Sequence, residues 1–426
     1  MIIPSIDLMN GHAVQLVEGK TKVLDAGDPR PLAMSFGMVG EVAVIDLDAA
    51  LGQGDNGDVI RELLKLAPCR VGGGIRDVET AIAWLDAGAR KVILGTAAIA
   101  DVLRELPRER VIAALDARHN DVVVEGWTRA TGMTIEQRID ELREYVSGFL
   151  VTFVEREGRM GGLPHDRIAA LVQRAAPARL TVAGGVRAAD EIARVDGLGA
   201  DAQVGMALYT NAFDLAEGFC APLQTDRPDG LWPTIVSDVR GGVLGLVYSN
   251  LDSVRAALRV KRGVYYSRSR KSLWTKGETS GDIQDLVRID VDCDRDALRF
   301  IVKQHGNGFC HTGSQTCFGD VDGLAALEQT IIARLENAPT GSYTRRLLDD
   351  AELLRSKLLE EVVELLDAHT SADAAHEAAD VLYFALVAAA KRGATLTDIQ
   401  QELDTRALRI SRRAGNAKPA GPEASS

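Results

Sequence analysis

The sequence has 426 residues, 46% of them hydrophobic and 26% charged, with a formal net charge of −12. That length allows two to four domains, and the composition is that of an ordinary globular protein. The acidic balance excludes general affinity for nucleic acid or anionic membranes, although local basic pockets for phosphate stay open to it.

The chain opens on M-I-I-P-S-I-D, which lacks the charged n-region and cleavage site of a secretory signal. The longest apolar run, V-L-Y-F-A-L-V-A-A-A at 381–390, is too short to span a bilayer. Five cysteines, three of them clustered near carboxylates, suit metal ligands in a reducing compartment better than a disulfide framework. A cytoplasmic protein with no membrane or nucleic-acid partner is therefore expected.

Residues 1–222 repeat themselves. V-G-G-G-I-R (71–76) is echoed by V-A-G-G-V-R (182–187), and each is followed by a glycine motif, L-G-T-A-A (94–98) or V-G-M-A-L (204–208). Short apolar strands alternate with amphipathic runs such as D-V-E-T-A-I-A-W-L-D-A-G. This pattern predicts βα units and a parallel sheet, arranged as two half-barrels of a (βα)8 barrel. Glycines directly after a strand let backbone N–H groups approach a phosphate. Gly73, Gly74 and Arg76, with Gly95 and Thr96, form one candidate phosphate site; Gly184, Gly185 and Gly205 form the other. Asp7 ends the first predicted strand and Asp116 the fifth, where barrel chemistry sits, so the pair suits a general base and a general acid. Each aspartate is equally readable as a helix cap.

Through I-P-S-I-D-L, V-I-D-L-D, V-G-G-G-I-R, L-G-T-A-A, A-L-D-A-R, G-W and A-G-G-V-R, this region resembles ProFAR isomerase of histidine biosynthesis. The resemblance implies that Asp7 accepts a proton, that Asp116 donates one and that Thr152 contacts substrate. The sequence departs from that pattern at Phe153, where an acidic residue is usual, at Gln15 in place of a common arginine, and at Glu157 in place of aspartate. An aromatic ring at 153 is expected either to occlude the mouth or to remove a polar contact.

Q-T-D-R-P-D-G-L-W-P (224–233) reads as a linker, assigned to 223–230, and leads into a hairpin-like pair of strands. Further on, V-R-I-D-V-D-C-D alternates like a strand, which predicts Asp292, Asp294 and Asp296 on one face and Cys293 on the other. Hard oxygens suit magnesium, and the thiolates of Cys293, Cys310 and Cys317 suit zinc with one open position. The alternative is three buried structural cysteines beside an acidic strand end. Arg268, Arg270 and Lys276 are candidate phosphate and ribose contacts, or simply solvated loop residues.

Y-Y-S-R-S-R (265–270), L-W-T-K-G-E-T-S-G (273–281), D-C-D-R-D and C-H-T-G with its later C-F occur in order. Together they resemble phosphoribosyl-AMP cyclohydrolase over 231–319, a small mixed α/β metal-binding domain. That resemblance implies magnesium on Asp292, Asp294 and Asp296, and zinc on Cys293, Cys310 and Cys317. It also implies a homodimer in which one cysteine of each zinc site comes from the other subunit. Zinc lowers the pKa of a bound water toward about 7, as opening an adenine ring at C6 requires. His311, next to a ligand, is a candidate proton shuttle or an orienter of that ligand.

From 323 to 410 the pattern is helical, and 411–426 reads as a disordered tail. Leu354, Leu358, Glu361 and Leu365 share a stripe, as do Asp380, Phe384 and Val387. Glu361 with Glu364, and Glu377 with Asp380, therefore predict four carboxylates aimed into a bundle core, which needs a cation such as magnesium. E-x-x-E, twelve residues, then E-x-x-D resembles the all-α nucleotide pyrophosphohydrolases, and S-Y-T-R-R-L-L (342–348) narrows this to phosphoribosyl-ATP pyrophosphohydrolase.

As a block, 225–418 is similar to the first two activities of the fungal multifunctional histidine-biosynthesis protein, without its histidinol dehydrogenase part. The expected chemistry is consecutive: pyrophosphate release from phosphoribosyl-ATP, ring opening of phosphoribosyl-AMP, and isomerisation of the product in the barrel. The alternatives are a barrel that only binds or supports, and a pyrophosphohydrolase acting on ordinary nucleoside triphosphates.

Overall fold

The computed structural model describes residues 1–19 and 21–411. It falls into two compact units, Met1–Leu223 with residues 407–411, and Gln224–Arg406. Apart from Ser411, the predicted tail lies outside the described residues.

The first unit is the expected barrel. Its staves are β1 (Ile2–Met9), β2 (Val42–Asp46), β3 (Cys69–Gly72), β4 (Lys91–Leu94), β5 (Val111–Arg118), β6 (Gly148–Phe153), β7 (Arg179–Ala183) and β8 (Ala200–Val204). They pair in parallel around a closed ring, with β1 beside β8 and β5 beside β6. Runs such as Val42, Ala43 and Val44 are apolar at every position because a barrel stave is covered by core on one side and helices on the other. The helix Gly57–Leu66 shows the complementary pattern, with Ile60 and Leu63 buried against the sheet. Two antiparallel excursions leave the ends of staves: a hairpin of His12–Val17 and Thr21–Gly27 after β1, and another of Asp121–Val124 and Arg129–Thr134 after β5. Both therefore follow the strands that carry Asp7 and Asp116.

The second unit starts with residues packed onto the sheet that follows. The backbone N–H of Gln224 donates to Arg295, and the Arg227 guanidinium lies 4.7 Å from the Tyr248 ring centre. A four-stranded sheet runs β10 (Val243–Ser249), β9 (Trp232–Asp238), β14 (Leu298–Gln304), β13 (Gln284–Val291); β11 (Val264–Ser267) and β12 (Ser272–Thr275) form a separate hairpin. The helix α1 (Leu251–Val260) crosses between them, started by a capping box of Asn250 and Ser253. The remainder is helical: α2 (Gly323–Glu336), α3 (Tyr343–Asp349), α4 (Ala351–Asp367), α5 (Ser371–Ala390) and α6 (Leu396–Leu408). Ile331, Leu347, Leu354, Phe384, Val387 and Leu396 make its core. Sheet and helices are joined by charge: Arg240 pairs with Asp238 at 2.6 Å and with Glu328 of α2 at 3.2 Å. Glu328 in turn accepts the Leu396 N–H that opens α6.

Candidate active sites

At the C-terminal ends of the staves a cavity of about 530 Å³ is lined by Asp7, Asp116, Thr152 and Glu157, together with Gly73, Gly74, Arg76, Gly95, Thr96, Gly184, Gly185 and Gly205. The eleven barrel residues named from the sequence as candidate site residues thus meet in one mouth, and Glu157 joins them there. The glycines after β3 and β7 are there for space. A Cβ at Gly73 would sit 2.2 Å from the Asp46 carbonyl oxygen, and Gly73 has φ +91°. Gly184, with φ +84°, has the Phe153 carbonyl 2.8 Å from the same hypothetical atom. Backbone is thereby brought to the cavity edge at two corresponding points. The Arg76 guanidinium is tethered to the carbonyls of Ala49 and Ala50.

The carboxyls open into the cavity yet are surrounded by protein. Burial pushes Asp7 up to about 6, against a Ser5 hydroxyl that donates to it at 3.0 Å. Asp116 is also raised by burial, offset by hydrogen bonds from Thr152 and from the Trp127 indole N–H at 2.8 Å. Thr152 sits directly opposite Asp116 in the β5–β6 register. Glu157 is pushed furthest, to about 8, by burial first and then by the charges of Asp7 and Asp116. Trp127 reaches Asp116 from the excursion after β5, and its ring closes over Gly19.

Two of the three departures from the isomerase pattern, Phe153 and Gln15, lie outside the cavity lining. Phe153 is 1% exposed and stands outside the cavity lining, because alternation along β6 turns it away from Thr152. Its ring packs 5.6 Å from the Arg167 guanidinium, so it does not occlude the mouth. Gln15 is buried, donates to the Val14 carbonyl at 2.9 Å and lies against Gly205.

In the second unit the strand reading of the acidic run is corrected. β13 ends at Val291, and Asp292–Asp296 form the turn into β14, with Arg295 at φ +70°. Asp292 closes that turn by accepting the N–H groups of Asp296 and Ala297 at 3.1 and 3.2 Å. The turn, rather than a two-residue period, brings oxygens of Asp292, Asp294 and Asp296 within 4.8 Å of one another. Cys293 is exposed on the same turn. Cys310 and Cys317 flank a second turn in which Cys310 takes a hydrogen bond from Thr312 at 3.1 Å. Contacts with Thr312, Ser314 and Cys317 pull the Cys310 thiol down to about 6, whereas burial and the Cys310 charge raise Cys317. His311 is exposed, its Nδ1 3.9 Å from the Cys310 sulfur. Hard oxygens on one turn and two adjacent soft thiols on another fit magnesium and zinc respectively.

Of the basic residues, Arg268 and Arg270 are exposed at the β11–β12 turn, Arg268 stacked 3.9 Å from the Tyr248 ring centre. Lys276 is different. It is 6% exposed, with its ammonium on the carbonyls of Asp282 and Gly308.

In the helical region Glu361, Glu377 and Asp380 bring oxygens within 4.8 Å of one another across α4 and α5. Here too the expectation is corrected. Glu361 is buried, Glu377 and Asp380 are half-buried, and Glu364 is exposed, so the four do not all point into the core. Position 364 lies at the rim of the stripe. It nevertheless acts on Glu377, whose pKa is raised by burial first and by Glu364 next. Lys357, not singled out in the sequence, pairs with Glu361 at 3.0 Å and Glu360 at 2.8 Å. Its signal was there, a lysine one helical turn before the first glutamate. Three crowded carboxylates with one lysine partner suit a divalent cation.

The model of the family described as Histidine biosynthesis protein matches residues 1–214. The chain belongs to the histidine biosynthesis protein family. Further family models match in order, Phosphoribosyl-AMP cyclohydrolase at 245–319 and Phosphoribosyl-ATP pyrophosphohydrolase at 324–407. Proteins similar to it include the Histidine biosynthesis trifunctional protein of Neurospora crassa, 54% identical over 195 residues, 46% of this chain and 22% of that protein. The Histidine biosynthesis bifunctional protein his7 of Schizosaccharomyces pombe is 48% identical over 209 residues, 49% of this chain and 50% of its own length. The Histidine biosynthesis bifunctional protein HisIE of Aquifex aeolicus is 36% identical over 192 residues, 41% of this chain and 94% of its own. The chain thus spans only about a quarter to a half of the fungal relatives. The histidine-biosynthesis barrel, the cyclohydrolase domain and the pyrophosphohydrolase domain account for all three clusters described above.

Proposed function

We propose that this chain catalyses consecutive steps of histidine biosynthesis, in three domains at 1–222, 231–319 and 323–410. The pyrophosphohydrolase domain would release pyrophosphate from phosphoribosyl-ATP. Glu361, Glu377 and Asp380, with Glu364 at the rim, would hold a magnesium ion, which would supply positive charge to the substrate phosphates. The single observation that carries this reading is the meeting of those three carboxylates across α4 and α5.

The cyclohydrolase domain would open the adenine ring of phosphoribosyl-AMP. Asp292, Asp294 and Asp296 would hold magnesium; Cys310 and Cys317, with Cys293 of a second copy, would hold zinc, and this makes the working unit a homodimer. Zinc when bound supplies an activated water at neutral pH. Around it the chain's own groups orient and bind: Thr312 holds the Cys310 sulfur, His311 is placed to move a proton, and Arg268 and Arg270 offer charge to the substrate phosphate.

The barrel would isomerise the product, with Asp7 taking a proton and Asp116 giving one. Each end of a bisphosphate would sit on one of the two glycine corners, at Gly73–Gly74 with Gly95–Thr96 and at Gly184–Gly185 with Gly205. An open mouth, two raised carboxyls and Thr152 facing Asp116 support turnover over mere binding. The free cysteines suit the reducing cytoplasm. Among the described residues no helix is long and apolar enough to cross a membrane.

The test is to supply the purified chain with phosphoribosyl-ATP and identify what accumulates. The isomerised product is expected. Accumulation of the ring-opened intermediate in the wild type, unchanged by Asp7→Asn and Asp116→Asn, would reduce the barrel to a binding domain. Pyrophosphate release from ordinary triphosphates at equal rates would overturn the substrate assignment of the helical domain.

A further inference from the structure

Lys276 is a buried ammonium whose place in the chain suggests a phosphate contact and whose surroundings do not. Its hydrogen bonds run to the Asp282 carbonyl at 3.2 Å and the Gly308 carbonyl at 3.4 Å, and it lies 5.9 Å from the Phe309 ring centre. The same few residues are fastened from other sides. The Gln304 amide donates to the carbonyls of Asp282, Ile283 and His305 at 3.3, 3.4 and 2.6 Å. Gln304 is itself held by Gln284 at 2.8 Å, and Gln284 by the buried Tyr265 hydroxyl at 2.7 Å. The Asp282 carboxylate accepts the Asn307 N–H at 2.8 Å, and Gly306 lets the two segments touch, since a Cβ there would meet Asp282 at 2.3 Å. The segment so clamped, 305–309, leads directly into Cys310.

A buried charge is costly unless something repays it. The charged groups acting on Lys276 are Asp282, Cys310 and Cys317. We propose that Lys276 is a positioning residue of the thiolate site: it pins Gly308 to Asp282, and so fixes where Cys310 presents its sulfur. The inference rests on the cyclohydrolase reading. It gives Lys276 a role in holding the ligands and not in holding the substrate phosphate.

The test uses the full chain with Lys276→Met and Lys276→Gln. Zinc affinity is read by competition with a chromophoric chelator, kcat and KM with phosphoribosyl-AMP, and pyrophosphate release as a check on folding. Outer-shell partners of metal ligands are typically worth about 10–100-fold in affinity. A loss of that order is expected in Lys276→Met, a smaller one in Lys276→Gln, which keeps a donor for one carbonyl, and KM at saturating zinc within about twofold of wild type. A tenfold rise in KM with zinc affinity unchanged would overturn the proposal in favour of a phosphate ligand, and no change in either would leave Lys276 a structural staple. A second arm needs no mutation: acylation of Lys276 in the native chain, followed by mass spectrometry. Stripping zinc should accelerate it relative to other lysines, whereas protection by AMP alone would overturn the assignment. A wild-type chain that binds no zinc would sink the cyclohydrolase reading itself, a different result from any of these.

Discussion

Glu157 makes the barrel's stability depend on pH in a direction opposite to that of most carboxylates. Its pKa in the folded chain, about 8, lies above the ordinary 4.5 because it is buried beside Asp7 and Asp116. The folded barrel therefore holds a proton that the unfolded chain has lost, and stability falls as pH rises through that window. The limiting slope is about 1.4 kcal/mol per pH unit. Between about pH 6.5 and about pH 8, Glu157 alone should withdraw up to about 2 kcal/mol. Asp7, raised only to about 6, has largely finished its own loss below that range. Glu157→Gln keeps the volume and removes the titration. The assay is pulse proteolysis of the full chain in urea, with cleavage mapped to the barrel, at several pH values for both proteins. The wild type should lose stability across the window and the variant should stay nearly flat. Equal slopes would refute the argument that three carboxyls compete for charge in that mouth.

Further outcomes follow from the other clusters. Asp7→Asn and Asp116→Asn should each lower isomerase kcat by about 10²–10⁴-fold, the usual worth of a general acid or base, with little change in substrate binding. Trp127→Phe removes the N–H that lowers the Asp116 pKa, so the alkaline limb of the isomerase pH profile should move upward. Cys310→Ser should abolish ring opening and weaken zinc binding and self-association, seen by chelator competition and sedimentation, while pyrophosphate release continues. Glu361→Gln or Asp380→Asn should cost magnesium-dependent pyrophosphate release about 10²-fold or more, measured by phosphate-coupled assay, and leave ring opening of supplied phosphoribosyl-AMP intact.

What the sequence made legible was whatever depends on a period or on a short motif. The barrel could be read because each stave is a short apolar run and because Gly73 and Gly184 recur at matching places, each required by backbone passing within 3 Å of where a Cβ would stand. The i, i+4, i+7, i+11 run of Leu354, Leu358, Glu361 and Leu365 placed Glu361 on the inward stripe of α4, and it is buried there. The failures occur where a period was carried past the end of its element. Alternation put Asp292, Asp294 and Asp296 on one strand face, yet the strand stops at Val291 and a turn gathers them instead. Glu364 was assigned inward from spacing alone, although three residues turn the helix only about 300° and leave it at the rim. Partners distant in sequence were not legible either. Nothing near Trp127 says that its N–H reaches back eleven residues to Asp116, and nothing near Lys276 says that its ammonium reaches Gly308, thirty-two residues on.

The three clusters share a difficulty, carboxylates or thiols crowded together, and differ in how the surroundings answer it. In the barrel the answer is a proton. Burial and mutual repulsion leave Glu157 neutral near pH 7 while the glycine corners bring backbone to the cavity edge. A mouth that manages its charge in this way suits proton transfer, which needs carboxyls able to exchange a proton near neutrality. On the Asp292 turn the answer is only partial: two N–H groups satisfy Asp292, while the hydrogen bond to Asp292 first and the charge of Asp294 next raise Asp296. Between α4 and α5 it is partial again, with Lys357 facing Glu361 on one side and His376, 3.7 Å from Asp380, on the other. Residual negative charge at the second and third clusters is what a divalent cation would meet. The division of labour proposed above, proton chemistry in the first unit and metal-assisted hydrolysis in the second, would thus follow from how completely each cluster neutralises itself.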